Sequence, residues 1–318
     1  MKWNWKEIGI SVVMGFILPG VLLNLATGRQ EAQEADPSAS SIPFISESFV
    51  SRRTADGSSV RMTMTDYLTG VLLAEMPADF EPEALKAQAV VARTYTQKAQ
   101  VTGGKHADGS VCTESTCCQG WIDPDTYLRD GGSPEDVEKI RNAVLETAGY
   151  VLTYDGTLIE ATYFSCSGGA TEDAAAVWGR DFPYLRSVDS PGEAQGSHYT
   201  DTVSFTPQSF SEALGVTLTG TPDTWFGYTT YTAGGGVNSM IIGGKEYHGT
   251  QLRSMLKLRS TAFTVTVREE VIYITTRGYG HRVGMSQYGA DAMAVAGSSY
   301  SQILAHYYQG AVLTQWEN

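Results

Sequence analysis

The chain has 318 residues, of which 42% are apolar and 18% charged, and its formal net charge is −13. That length and balance suit one large or two small globular domains with ample material for a core. So acidic a surface argues against nucleic acid as a partner, because binding phosphates takes a basic patch.

Ile8 to Ala26 is a 19-residue apolar run, just long enough to span a bilayer. Lys2 and Lys6 precede it, and Glu31, Glu34 and Asp36 outweigh Arg29 after it. The positive-inside rule then makes residues 1–7 a cytoplasmic tail and 8–26 a single-pass anchor, with the rest outside the cell. A cleaved signal peptide is the rival. The run is longer than a usual signal core, and cleavage after Ala26 would put Asn24 where a small residue is preferred. Residues 27–43 have the Ser-, Glu-, Ala- and Pro-rich composition of a linker. This leaves 44–318 as an extracytoplasmic domain.

In that domain Val60–Met62 reads as a short strand. Tyr67, Leu68, Val71, Leu72 and Met76 recur at helical spacing, with Thr63 or Thr65 as cap and Pro77 as stop. Glu81-Pro82-Glu83 opens a second helix that runs to about Gln100. Residues 102–133 read as irregular, with Asp123, Asp125 and Asp130 as loop charges. Ser133 with Pro134 and Asp136 caps a helix that runs to Ala148. Tyr150–Phe164 gives two β-rich runs joined by Asp155-Gly156, a hairpin signal. Residues 208–214, 251–258, 291–295 and 300–308 look helical. Residues 233–244 read as a glycine-rich loop, and Phe263–Thr275 as a hairpin turning at Arg268-Glu269-Glu270. Helices and strands mix without βαβ regularity, so the expected class is α+β.

Four places carry chemistry. Glu75 is the only charge between Leu68 and Ala78 and sits in the last turn of its helix. Apolar neighbours and helix-end carbonyls both raise a carboxyl pKa, as a general acid near neutrality requires. The plain alternative is an exposed polar-face Glu. His106-x5-Cys112-x5-Cys118 offers three soft ligands on a loop, suited to zinc. Cys117 adjoins the set, and the equal intervals favour Cys118 over it. Disulfides compete outside the cell. Tyr163 to Gly169 ends a strand in a glycine pair. Gly278 to Met293 sets four glycines around His281, Ser286 and Gln287, permitting unusual backbone or close ligand approach. Cys166 with His281 raises a cysteine peptidase, but no peptidase motif surrounds Cys166. Trp178 and Tyr184 are either sugar-stacking or core aromatics.

Leu73-Ala74-Glu75-Met76-Pro77 with the helix Glu83–Tyr95, the Ser165–Gly169 loop, and Gly278–Met293 together resemble the signatures of the stage II sporulation protein D family. The likeness runs from about Met62 to Gly310. It implies a mixed helix and antiparallel-sheet catalytic domain with a long cleft for a polymer. It implies a peptidoglycan lytic transglycosylase active during forespore engulfment, with Glu75 as general acid and then base, and Arg93 also required. Lys86 shares the face of Arg93, two turns away. Tyr163, Ser165, Ser167, His281, Ser286 and Gln287 would shape the glycan site. One carboxylate suffices where the muramic 6-hydroxyl itself attacks, unlike the two of ordinary glycosidases.

Some members of that family carry zinc on a His/Cys/Cys set. The resemblance thus implies zinc on His106, Cys112 and Cys118, shaping the site rather than acting as the acid. It implies glycan strands stripped by stage II sporulation protein P, association with stage II sporulation protein M, and residence in the mother cell's engulfing membrane. Arg282 departs from the pattern, since the family usually has Gly there. Either that position needs positive φ and Arg is strained, or Arg282 contacts glycan. Two other readings stand beside the enzyme: a non-catalytic wall-binding module, as in amidase enhancers, and a zinc hydrolase of peptide cross-links.

Overall fold

Thr63 sets where the first helix begins, because its hydroxyl accepts the Asp66 N–H at 3.1 Å. In the computed structural model, which describes residues 47–316 apart from Ala55 and Ser197, an antiparallel hairpin leads into this helix. The hairpin is β1 (Phe49–Arg53) with β2 (Ser59–Thr63), and the helix is α1 (Met64–Glu75). The expected tail, anchor and linker lie outside the described residues. Among the described residues, no helix is long and apolar enough to cross a membrane.

The apolar stripe of α1, Tyr67, Leu68, Val71 and Leu72, is fully buried. It packs with α2 (Pro82–Thr102), which is itself buried almost all round from Ala84 to Thr94 and forms the central strut. A short helix, α3 (Pro124–Arg129), occupies part of the stretch read as irregular. Asp123 caps it by accepting the Asp125 N–H at 3.0 Å, so this aspartate is a helix cap rather than a loop charge. The α4 helix (Pro134–Glu146) starts at a reciprocal capping box of Ser133 and Asp136, as expected.

The Asp155-Gly156 hairpin forms between β3 (Tyr150–Tyr154) and a two-residue β4 (Thr157–Leu158). The chain then leaves this sheet. Strand β5 (Tyr163–Phe164) pairs in parallel with a distant strand, Met285–Ser286, and this crossing builds the site. The helix α5 (Ala174–Trp178) follows.

A second apolar cluster gathers Phe210, Trp225, Leu252, Phe263, Ile272 and Ile274. Its parts are β6 (Thr200–Phe205), α6 (Pro207–Leu214), β7 (Phe226–Tyr231), β8 (Val237–Ile242), β9 (Lys245–His248), α7 (Gly249–Met255), β10 (Phe263–Arg268) and β11 (Val271–Arg277). Strand orders are β10-β11-β6 and β7-β8-β9, all antiparallel. Glu269 and Glu270 both hold positive φ at the β10–β11 turn, as a tight hairpin requires. The loop expected over 233–244 is corrected: β8 is a central strand with Val237, Met240 and Ile242 buried. Its glycines lie just outside it and mark the turns at both ends.

The glycine-rich block supplies β12 (Met285–Ser286) and α8 (Gln287–Val295), followed by α9 (Tyr300–Tyr307) and β13 (Val312–Gln315), which pairs with β3. Ser286 caps α8 by accepting the Gly289 N–H at 3.2 Å. The helix therefore starts four residues before the expected Asp291. The α+β class holds.

Arg282 sits at φ +66, so the position does demand the left-handed conformation. Its side chain is buried and turned into the protein. The guanidinium donates to Ser167 O at 2.6 Å, Ala170 O at 2.8 Å, Gly234 O at 2.6 Å and Glu172 Oε1 at 3.0 Å. The backbone strain costs about 1–3 kcal/mol. Removing one partner of a buried pair costs about 3–5 kcal/mol. Arg282→Gly is therefore predicted to destabilise by about 2 kcal/mol in chemical denaturation, and a further Glu172→Gln to recover part of the loss. A glycine variant as stable as the parent would mean the strain cancels the pair.

Candidate active site

Glu75 closes α1 and is half-buried. A loop is laid along this helix and delivers a donor to it: the Gly120 N–H reaches Glu75 Oε1 at 2.6 Å. Two glycines make the approach possible. A Cβ on Gly70 would lie 2.2 Å from Trp121 Nε1, and one on Gly120 would lie 2.8 Å from Glu75 Oε1. The Ile122 N–H bonds Gly70 O at 3.1 Å and locks the loop in place. Burial pushes the Glu75 carboxyl above its ordinary range, while Gly120, the Tyr163 hydroxyl and the Gln287 amide pull it back. Gln287 Nε2 has no hydrogen-bond partner of good geometry. Tyr163 Oη donates to Gln119 Oε1 at 3.4 Å.

These groups open on a cavity of about 810 Å³, lined also by Ser165, Trp178, Tyr279, His281 and, from α7, Arg253. His281 is held neutral: burial and the nearby Arg253 cation bring its pKa down to about 4. The Val283 N–H donates to His281 Nδ1 at 3.1 Å, which leaves the proton on Nε2. Trp178 stands against it, ring centroids 5.3 Å apart.

The structure thus brings Glu75, Tyr163, Ser165, His281 and Gln287 together. Ser167 and Ser286 lie beneath them, buried. Their hydroxyls donate to Glu193 Oε2 at 2.8 Å and Oε1 at 2.5 Å. They fix the loops rather than face the cavity.

Two expected residues are elsewhere. Arg93 is buried against the end of α4, donating to Val144 O at 3.0 Å, Thr147 O at 2.7 Å and Tyr150 O at 3.2 Å. It satisfies helix-end carbonyls and does not reach the acid. Lys86 pairs with Glu83 at 2.8 Å and Glu146 at 2.6 Å. The two do share a face, but that face meets α4.

His106, Cys112, Cys117 and Cys118 converge, their ligand atoms all within 4.8 Å of one another. Cys117 therefore joins the set that spacing had favoured without it. Burial opposes ionisation of Cys112, but hydrogen bonds from His106, the Glu114 backbone and the neighbouring thiols bring it down to about 6. The four cysteines are free. Cys166 is buried, and burial with the adjacent Glu193 pushes its thiol up to about 12, the opposite of an activated nucleophile.

Sequence comparisons place the chain in a family. A stage II sporulation protein family model matches residues 55–154. The chain is 38% identical to stage II sporulation protein D of Bacillus amyloliquefaciens over 303 residues, 93% of this chain and 88% of that one. The chain belongs to the stage II sporulation protein D family. The Bacillus subtilis (strain 168) member is 38% identical over 83% of this chain and 78% of its own. An amidase enhancer of the same strain is 32% identical over 78% of this chain and 40% of its own length.

A raised carboxyl pKa means that the folded protein of this family member holds a proton the unfolded chain gives up. Stability from that group is full below its unfolded pKa and falls as pH rises towards the raised one. Glu75→Gln removes the loss. The variant should unfold at higher denaturant than the parent at pH 7, with the gap closing near pH 4. A less stable variant at both pH values would show that the Gly120 hydrogen bond outweighs burial.

Proposed function

We propose that this protein is a peptidoglycan lytic transglycosylase that cleaves peptide-stripped glycan strands during engulfment in sporulation. The reading rests above all on one half-buried carboxyl, raised in pKa, at the floor of a cavity rimmed by aromatic and amide groups. The only other carboxylate lining that cavity among the described residues, Glu160, is tied to Lys98 at 2.8 Å. Family membership and the wall-related name of one relative support the setting.

Glu75 protonates the glycosidic oxygen as the bond to C1 of muramic acid breaks. The resulting carboxylate, steadied by the Gly120 N–H, takes the proton of the muramic 6-hydroxyl as that oxygen bonds to C1. The product is a 1,6-anhydro sugar, and the acid is restored. No water enters, so one carboxyl serves both steps. Stage II sporulation proteins P and M are the proposed partners. The N-terminal anchor is proposed to hold the enzyme in the mother cell's engulfing membrane.

We also propose zinc on His106, Cys112, Cys118 and Cys117. Three thiols and an imidazole in so small a volume are the donor set of a structural zinc site. Bound there, zinc would supply a cross-link between His106 and the three cysteines, a structural rather than a water-activating role. The tied loop runs directly into Gln119 and Gly120, which hold Tyr163 and Glu75.

Mass spectrometry of products from peptide-free strands is expected to show anhydro-muramic ends with the parent protein, and at least a hundredfold fewer (~10²) with Glu75→Gln. Intact strands bound equally by both proteins would favour the wall-binding module. Reducing ends would point to hydrolysis with Glu160 as base. For the metal, elemental analysis should give about one zinc per chain. Cobalt substitution should give the intense visible bands of a tetrahedral thiolate site. Cys117→Ser should weaken retention against a chelator. Zinc held as tightly by that variant would exclude Cys117 as a ligand.

A further inference from the structure

Arg253, on α7, lines the same cavity as Glu75, which ends α1. Its backbone is well anchored. Leu252 and Leu256 on either side are buried in the second core, and the Leu258 N–H bonds Arg253 O at 2.9 Å. The side chain is half-buried. Among the described residues, no hydrogen bond or ion pair engages its guanidinium.

That is unusual company for a partly desolvated charge. Arg93 is matched by three carbonyls, Arg259 by Asp201 at 3.3 Å, and Arg282 by Glu172 at 3.0 Å. The carboxyls lining the cavity are otherwise engaged: Glu75 by Gly120 and Glu160 by Lys98. His281 beside it offers no negative charge. Lys105 is exposed at the rim. A chain of net charge −13 thus keeps an unmatched guanidinium inside its cavity.

The planar fork of a guanidinium is suited to a carboxylate. A glycan strand of this wall has one place for such a group. The lactyl ether of muramic acid ends in an amide where a stem peptide is attached, and in a free carboxylate where the peptide has been removed. N-acetylglucosamine has none. We propose that Arg253 binds the free lactyl carboxylate and is the residue by which the site selects peptide-stripped strands. This rests on reading the cavity as a glycan site.

The test is binding of fluorescently labelled strands to the full-length Glu75→Gln protein in detergent, which separates binding from turnover. The strands are amidase-stripped glycan, the same glycan with its lactyl carboxyls converted to methylamides, and a chitin oligosaccharide of equal length. The stripped acid strand should bind roughly tenfold or more tightly than the methylamide, as expected for a charge-assisted pair. Adding Arg253→Gln should erase that ratio, and Arg253→Lys should restore part of it. Equal binding of acid and methylamide strands by the parent would overturn the proposal without recourse to any variant. So would an acid preference that survives Arg253→Gln. A preference that depends on Arg253, found in a protein that yields no anhydro ends, would leave the carboxylate site standing and remove only the transglycosylase reading.

Discussion

A single buried carboxylate, Glu193, holds the two loops of the site together. Oε2 takes Cys166 Sγ at 3.2 Å, Ser167 N and Oγ at 2.8 Å each, and Gly168 N at 2.9 Å. Oε1 takes Ser190 Oγ at 2.7 Å and Ser286 Oγ at 2.5 Å. A buried carboxylate left without donors costs several kcal/mol. Here the donors come from three separate segments, so the cost is avoided only when all three are in place. Ser286 in turn begins α8, which puts Gln287 at the acid, and Ser167 follows Ser165 in the cavity wall. The parallel pairing of β5 with β12 and the Arg282 clamp act on the same two loops. Their geometry is over-determined, and that is why a strained φ at Arg282 is tolerated.

The acid itself has a different tether. Glu75 ends a helix, where the backbone alone gives little rigidity. Its environment is set by a loop that approaches through Gly70 and Gly120 and carries the cysteines and histidine upstream. The bonds of Glu193 and Arg282 fix the segment of His281 and Gln287 on one side, and on the other the Ile122 N–H bond to Gly70 O holds the loop of Gln119 and Gly120. Tyr163 lies between them, bonded to Gln119 and facing Glu75. In the mechanism proposed above, an acid that gives a proton and takes one back needs its surroundings to stay fixed while its own charge changes. Two independent clamps provide that.

Much of this was legible in the chain because much of it is local. Caps announce themselves within four residues, as Ser133 and Asp136 do. Apolar spacing gave α1, and the dipeptide Asp155-Gly156 gave a turn. Glu75 was legible as well, being alone among apolar neighbours. What escaped depends on distant partners. Lys86 and Arg93 were correctly placed on one face of α2, but spacing along a helix does not say what that face meets, and it meets α4. Glu193 is one acid among many until the chain folds Ser167 and Ser286 onto it. Arg253 lies in a run read only as helical, and nothing local marks it as facing the cavity. The strand β8 was hidden for the opposite reason: glycines that end it on both sides were counted as part of it.

If the cavity is the glycan site proposed above, its charge pattern bears on the order of events in the wall. At neutral pH His281 is uncharged, and Glu75 is shifted towards its protonated form. Arg253 is then the one enclosed charge among the described lining residues without a counterpart. The rest of the protein is strongly acidic and repels polyanions in general. A stripped strand is such a polyanion, so its entry needs a specific site that repays the repulsion. A strand still bearing peptides lacks the carboxylate and brings bulk besides. On this reading, amide cleavage comes before glycan cleavage because of a property of the substrate that one guanidinium detects, and the order holds even without contact between the two enzymes.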